Sequence, residues 1–248
     1  MSNKITIEAV PGVPYIDEGD DVGEVLVNSA KAEGFSFKEG DVLCVASKAV
    51  SLAEGRLVAL DTVTVGDVAK ELHERIPRKD PRTLQLIIDA TGAGDLSRLD
   101  LDDNYAAGWL PNGNRLTSAG VDKMGPEHVI LLPEDPDESA RAIGQSILNN
   151  FNVRVAVVVT DSDGRVEKAG STQVAIGLYG LPALRRSAST DETGVVKYAD
   201  ETLCDLVAAS AAILMGQRGT NRPAVVVRGV AFEFDEASEI RQALSRPE

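Results

Sequence analysis

The chain has 248 residues, with 25 Lys+Arg against 39 Asp+Glu and a formal net charge of −14. That length suffices for a single domain over 1–248, in one body or two lobes around a packed core. Its 43% hydrophobic and 26% charged residues exclude a disordered or collagen-like chain, and a pI near 4.6 disfavours nonspecific binding to nucleic acid or anionic membranes. Only 4% of residues are aromatic, so the core must be built from Val, Ile, Leu and Ala, and stacking platforms for single-stranded nucleic acid are scarce.

The first residues, MSNKITIEAVPGVPYI, lack the basic flank and apolar run of a signal peptide, and no apolar stretch reaches membrane-spanning length. The expected location is the cytoplasm, with no membrane or nucleic-acid partner. Asp20 is placed to cap a helix carrying Val22, Val25, Leu26 and Ser29. Strands are expected at Asp41–Ala46, His128–Leu132, Val153–Thr160 and Ala224–Arg228, all rich in aliphatic residues. Pro136, with Asp137 and Glu138 behind it, opens a helix whose apolar face holds Ile143, Ile147 and Leu148. Glu201–Met215 aligns Leu203, Leu206, Val207, Ser210 and Leu214 on one helical stripe, ended by Gly216. The alternation predicts a mixed α/β fold (α+β) without internal repeats. Segments 89–114 and 184–196 are the least periodic and read as boundaries or mobile loops. The end of the chain, FEFDEASEIRQALSRPE, reads as a short surface helix.

Cys44 and Cys204 stand far apart in apolar surroundings, which suits buried thiols better than a disulfide or metal site. His73 and His128 have no partner at ligand spacing, so a zinc site of His/Cys type is excluded. No Ser/His/Asp or Cys/His set stands out, which disfavours nucleophilic hydrolysis, and no catalytic side chain is assigned.

Four polar segments adjoin the expected strands, where α/β proteins place ligand groups: 47–56, 118–123, 160–165 and 216–222. Thr160-Asp161-Ser162-Asp163-Gly164 spaces oxygen donors like a calcium loop but lacks its closing Glu. Two readings stand: a strand-end Asp with hydroxyls that shares Mg²⁺ or Mn²⁺ with a phosphate, or a tight turn capped by its own side chains. The stretch from Gly216 through Gln217, Arg218 and Gly219 to Arg222 is not a Walker A loop; it is a helix end and turn, or a phosphate contact through Arg218. Gly92-Ala93-Gly94 is a weaker echo of a dinucleotide loop. Ser47 and Lys48 can hold a phosphate or simply start a helix, and Glu54-Gly55-Arg56 can be an exposed turn.

Taken together and in order, GDVLCVASKAVSLAEGR, SAGVDK, LLPEDPDESARAI, VAVVVTDSDGR, QVAIGLYGLPAL and LMGQRGTNRPAVVVRG resemble the coenzyme F420-0:L-glutamate ligase (gamma-glutamyl ligase) family. They span the chain from about Val10 to Gly229. The resemblance implies an unusual α/β fold, a homodimer, GTP as co-substrate and Mg²⁺ or Mn²⁺. It also implies a reaction in which an anionic small-molecule carboxylate is phosphorylated and the amine of L-glutamate displaces the phosphate. It marks Asp122 and Asp161 as metal ligands, with Ser162 in the place of a metal-binding Thr. It sets Val13, Pro14, Tyr15, Ile16, Ser47 and the Gly216–Arg222 loop against the nucleotide, with Lys48 beside them.

The departures are specific. Leu52 stands where the family has a second Lys, and Met124-Gly125 replaces a Ser-Asn pair. GNRLTSAGVD lacks the usual His, and the basic, aromatic stretch after the metal Asp is reduced to GRVEKAG, with Lys168 as its main cation. These losses predict weakened or altered ligation of F420-0 unless Lys48, Lys123 or Arg218 compensates. Three readings follow: a ligase acting on F420-0 or a related carboxylate, a diverged ligase with an unrelated acceptor, and a non-catalytic scaffold.

Overall fold

The computed structural model describes residues 4–102, 105–165 and 167–244. Its elements in chain order are β1 (Thr6–Ala9), α1 (Val22–Ala32), β2 (Val42–Ala46), α2 (Ser47–Ala53), β3 (Leu57–Ala59), α3 (Asp67–Arg75) and α4 (Pro81–Ala90). There follow β4 (Leu99–Asp102), β5 (Tyr105–Trp109), β6 (Arg115–Thr117), β7 (Asp122–Lys123), β8 (His128–Ile130) and α5 (Pro136–Phe151). The last are β9 (Ala156–Gly164), β10 (Ser171–Tyr179), β11 (Leu184–Thr190), β12 (Val196–Thr202), α6 (Leu203–Met215) and β13 (Ala224–Arg228).

The central sheet runs β1-β13-β2-β9-β10, with β2 and β9 parallel and the other pairs antiparallel. Its strands are aliphatic because both faces are covered. Leu43, Val45, Val157, Val159 and Val226 pack into the cluster that also takes α1 and α5, while Val42, Cys44, Ala156, Val158, Val225 and Val227 face α6. Side chains alternate between the two cores along each strand, as period-two geometry requires. Two small sheets, β3-β8-β7 and β4-β5-β6, and a separate ribbon β11-β12 complete the mixed α/β architecture. Both cysteines are buried and free. Among the described residues no helix is long and apolar enough to cross a membrane.

Several boundaries differ from the expectation, each for a local reason. Helix α1 is capped by Asp21, whose carboxylate accepts from the Glu24 N–H at 2.9 Å; Asp20 instead accepts from the Asp17 N–H. Strand β9 starts at Ala156, not Val153, and continues to Gly164, so TDSDG is strand and not turn. Strand β8 ends at Ile130. Residues 201–202 close β12, and α6 begins only at Leu203. Its stripe is rotated: Cys204, Ala208, Ala211 and Met215 are buried with Leu203 and Val207, while Leu206 is 49% exposed. Apolar residues surround this helix, so hydropathy alone does not set its phase. Segment 89–114 holds β4 and β5, and 184–196 holds β11. The ribbon was hidden because its strands pair through charge, Arg185 with Glu201 and Arg186 with Asp200, and not through an apolar face. Near the C-terminus a single 3-10 turn, Ile240–Ala243, stands where a helix is expected, and residues 245–248 of that segment lie outside the described residues.

Candidate functional site

Strand β2 ends at Ala46 and the chain turns at once into α2, while its parallel neighbour β9 runs on past Thr160. The edge of β9 that β2 leaves uncovered forms one wall of a cavity of about 800 Å³. This is the carboxyl end of a parallel strand pair, where α/β sheets usually hold ligands. Val13, Pro14, Tyr15 and Ile16 form a second wall, and Gly216, Gln217, Arg218 and Gly219 a third. Ser47, Lys48, Asp122, Asp161 and Ser162 also line it, so every residue that the resemblance marks for metal or nucleotide borders one space.

Two aspartates from distant segments line it together. The Ser47 hydroxyl donates to Asp161 Oδ1 at 2.7 Å, and Lys48 Nζ lies 3.1 Å from Asp122 Oδ2. Consecutive residues of one helical turn thus each hold one carboxylate. Burial pushes the Asp161 carboxyl up to about 7, and the charge of Asp122 adds to the rise against the hydrogen bond from Ser47. Two carboxylates thus stand in a partly desolvated place beside the Lys48 ammonium. Their oxygens and the nearby hydroxyls are the hard donors that Mg²⁺ or Mn²⁺ prefers. Among the described residues no group of three His, Cys, Asp or Glu side chains is gathered. A cation here would therefore complete its shell with hydroxyl, water or phosphate oxygen. Ser162 borders the same cavity, but strand alternation projects its side chain to the face opposite Asp161, opposite Gln173 of β10.

The loop bearing Asp122 is tied to the strand bearing Asp161. Thr117 donates its backbone N–H to Asp163 Oδ1 at 2.9 Å, and its hydroxyl lies 2.8 Å from the same oxygen. The chain then makes a left-handed turn in which Ser118, Ala119 and Gly120 have φ of 55°, 51° and 73°. Non-glycine residues in that region cost roughly 1 kcal/mol each, so surrounding contacts must hold them. Ala119 is buried against Gly108, where an added Cβ would lie 2.7 Å from the Ala119 Cβ. Lys79 Nζ donates to the Ser118 hydroxyl at 2.8 Å. Burial, with Arg78 and Lys123 nearby, lowers the Lys79 pKa below the usual lysine range.

On the opposite wall, Gly216 ends α6 with φ 65°, and the Thr220 hydroxyl donates to the Met215 carbonyl. The helix-end reading of this stretch is therefore right in geometry, and Arg218 and Arg222 face the cavity from it. Leu52 lines the cavity, as do Lys48 and Lys123; Gly125 does not, and sits in a turn with φ 85°. Lys168 is exposed and away from the lining. Sequence reading missed Lys79, Gln173 and Ser171. Lys79 precedes the Asp80-Pro81 start of α4, a helix signal that says nothing of its ammonium; the strand pairing with β9 is the only guide to Gln173.

Residues 12–229 match the family model described as F420-0:Gamma-glutamyl ligase. A relative named Coenzyme F420:L-glutamate ligase, from Methanopyrus kandleri, is 37% identical over 243 residues, covering 96% of this chain and 92% of its own. Proteins of the same name from Halobacterium salinarum and Archaeoglobus fulgidus are 35% and 31% identical, covering 93% and 98% of this chain and 89% and 99% of their own.

Proposed function

Because the chain belongs to the F420-0:gamma-glutamyl ligase family, we propose that it joins L-glutamate to coenzyme F420-0 through an amide bond, with GTP as phosphoryl donor and Mg²⁺ or Mn²⁺ held by Asp122 and Asp161. The observation that carries this reading is the meeting of both aspartates with Ser47 and Lys48 in one cavity of about 800 Å³.

A carboxylate does not react with an amine until its oxygen becomes a leaving group, and phosphorylation supplies one. The carboxylate and the triphosphate repel each other as they approach. A divalent cation, when bound, supplies charge neutralisation between them. Lys48, Lys123, Arg218 and Arg222 line the walls where phosphate and carboxylate oxygens need cationic partners, offsetting the acidic background of the chain. Ser47 fixes the rotamer of Asp161 by its hydrogen bond, and Lys48 does the same for Asp122. Leu52 presents aliphatic surface where the family usually has Lys, and Lys48, Lys123 and Arg218 line the same cavity.

A second copy of the chain suits the exposed ribbon. A two-stranded ribbon is marginal alone, and this one exposes Val195, Val196 and Tyr198. Light scattering is expected to give twice the 26.3 kDa chain mass.

The test is incubation with F420-0, L-glutamate, GTP and Mn²⁺, with mass spectrometry of the product. A product heavier by one or more glutamyl units, formed with matching phosphate release and lost on chelation, supports the proposal. Turnover only with another carboxylate transfers the reading to a diverged acceptor, and no nucleotide turnover with any carboxylate refutes it.

A further inference from the structure

We propose that Lys79 is a positioning residue for this site: its ammonium, by holding the Ser118 hydroxyl, fixes the left-handed turn Ser118–Gly120 and with it the carboxylate of Asp122. The inference rests on the reading above only in assigning Asp122 to the site.

Three consecutive residues of positive φ immediately precede Val121 and Asp122, and two of them are not glycine. Such a run does not persist by its own preference. It is clamped twice at its start. Upstream, Thr117 is bonded to Asp163 of β9; at the turn itself, Ser118 is bonded to Lys79. The turn then closes through the Val121 N–H to the Ser118 carbonyl at 2.9 Å, and the next residue is Asp122. Releasing Ser118 therefore frees the backbone one hydrogen-bonded step away from the carboxylate.

Lys79 is itself rigidly placed. Its N–H donates to the Ile76 carbonyl at 3.1 Å, and Ile76 is buried. Its carbonyl accepts from His73 Nδ1 at 2.9 Å. Asp80, the next residue, caps α4 and makes a two-pronged ion pair with Arg82. Among the described residues no carboxylate forms an ion pair with Lys79. A half-buried ammonium beside Arg78 and Lys123, with Asp122 as the favourable charge nearby and a serine hydroxyl as its hydrogen-bond partner, is a poor stabiliser of the fold as such. Its effect is to hold a backbone shape.

The experiment compares Lys79→Met, Lys79→Arg, Ser118→Ala and the double variant Lys79→Met with Ser118→Ala, by amide hydrogen exchange and ligase kinetics. Lys79→Met is expected to speed exchange over residues 117–123 about tenfold and leave the rest of the chain unchanged, the size expected for one charge-assisted hydrogen bond. It should lower kcat about tenfold with KM for the acceptor and nucleotide nearly constant. Lys79→Arg, which still donates, should retain most activity. Ser118→Ala should match Lys79→Met, and the double variant should lose no more than either. Additive losses overturn the proposal. So does a raised acceptor KM with unchanged exchange, which makes Lys79 a substrate contact. Faster exchange throughout with kcat intact overturns it as well, leaving Lys79 a packing residue. Should the native protein ligate nothing, the exchange cycle still decides the clamp, so the two readings fail separately.

Discussion

The two halves of β9 differ in everything but their backbone. Ala156 to Thr160 are buried, pair with β2 on one side and, from Val157 on, with β10 on the other, and interleave two aliphatic cores. Asp161 to Gly164 are partly exposed and keep only β10, because β2 has already turned into α2 at Ser47. One strand thus serves the fold for half its length and the site for the rest. What separates the halves is the stopping point of a neighbouring strand, a fact about tertiary structure and not about β9 itself.

If that division is real, substitutions in the two halves should act on different observables. The largest effect is expected from Asp161→Asn, which removes the charge of one proposed cation ligand while leaving an acceptor for Ser47. Ligation should fall by about a thousandfold, roughly 4 kcal/mol of barrier, with no loss in the urea midpoint. A comparable loss of stability would mean that the polar half is structural.

Val158→Ala, in the buried half, should do the converse. Removing two methyl-sized groups from a fully buried site costs about 2 kcal/mol of stability, and kcat/KM at a temperature where the protein stays folded should hold. Thr117→Val removes the hydroxyl part of the tie between the Asp122 loop and Asp163 and leaves the backbone N–H bond, so it probes how the halves are joined. We expect kcat to drop about fivefold with about 1 kcal/mol of stability lost; unchanged kcat would remove Thr117 from the account.

A last effect concerns pH. Burial raises the Asp137 carboxyl to about 6 and the Asp161 carboxyl to about 7. In each case the native state holds a proton that the unfolded chain, with its carboxyl near 3.8, has released. The contribution of each group to stability is therefore full at low pH and is lost as pH rises through its folded value. In the presence of a chelator, native protein compared with Asp161→Asn should show a stability difference that grows against the native between about pH 4 and 7. Asp137→Asn should shift that window lower. A difference of the opposite sign would contradict the burial of these carboxyls.

The buried half of the sheet was legible because aliphatic runs such as VLCVA and AVVVR have one physical destination. The candidate site was legible in membership but not in shape. Asp122, Asp161 and Ser47 stood out as polar groups beside strands, yet Asp161 reads equally as a metal-holding strand end or as part of a turn, because a solvent-facing strand end carries turn residues. Ser162 reads as its partner, although strand alternation turns it to the other face. Lys79 left no trace, since its part depends on the φ of Ser118, which no local pattern announces. The ribbon β11-β12 was missed for a related reason: its residues pair with each other and not with a core.

We propose that Asp122 and Asp161, 39 positions apart, hold one divalent cation between them. Calorimetric titration of Mn²⁺ into the native protein, Asp122→Asn and Asp161→Asn, in the presence of a non-hydrolysable GTP analogue, tests it directly. The account predicts a binding isotherm in the native protein and its loss, or a weakening of at least about tenfold, in both variants. Unchanged Mn²⁺ affinity in either variant would contradict it.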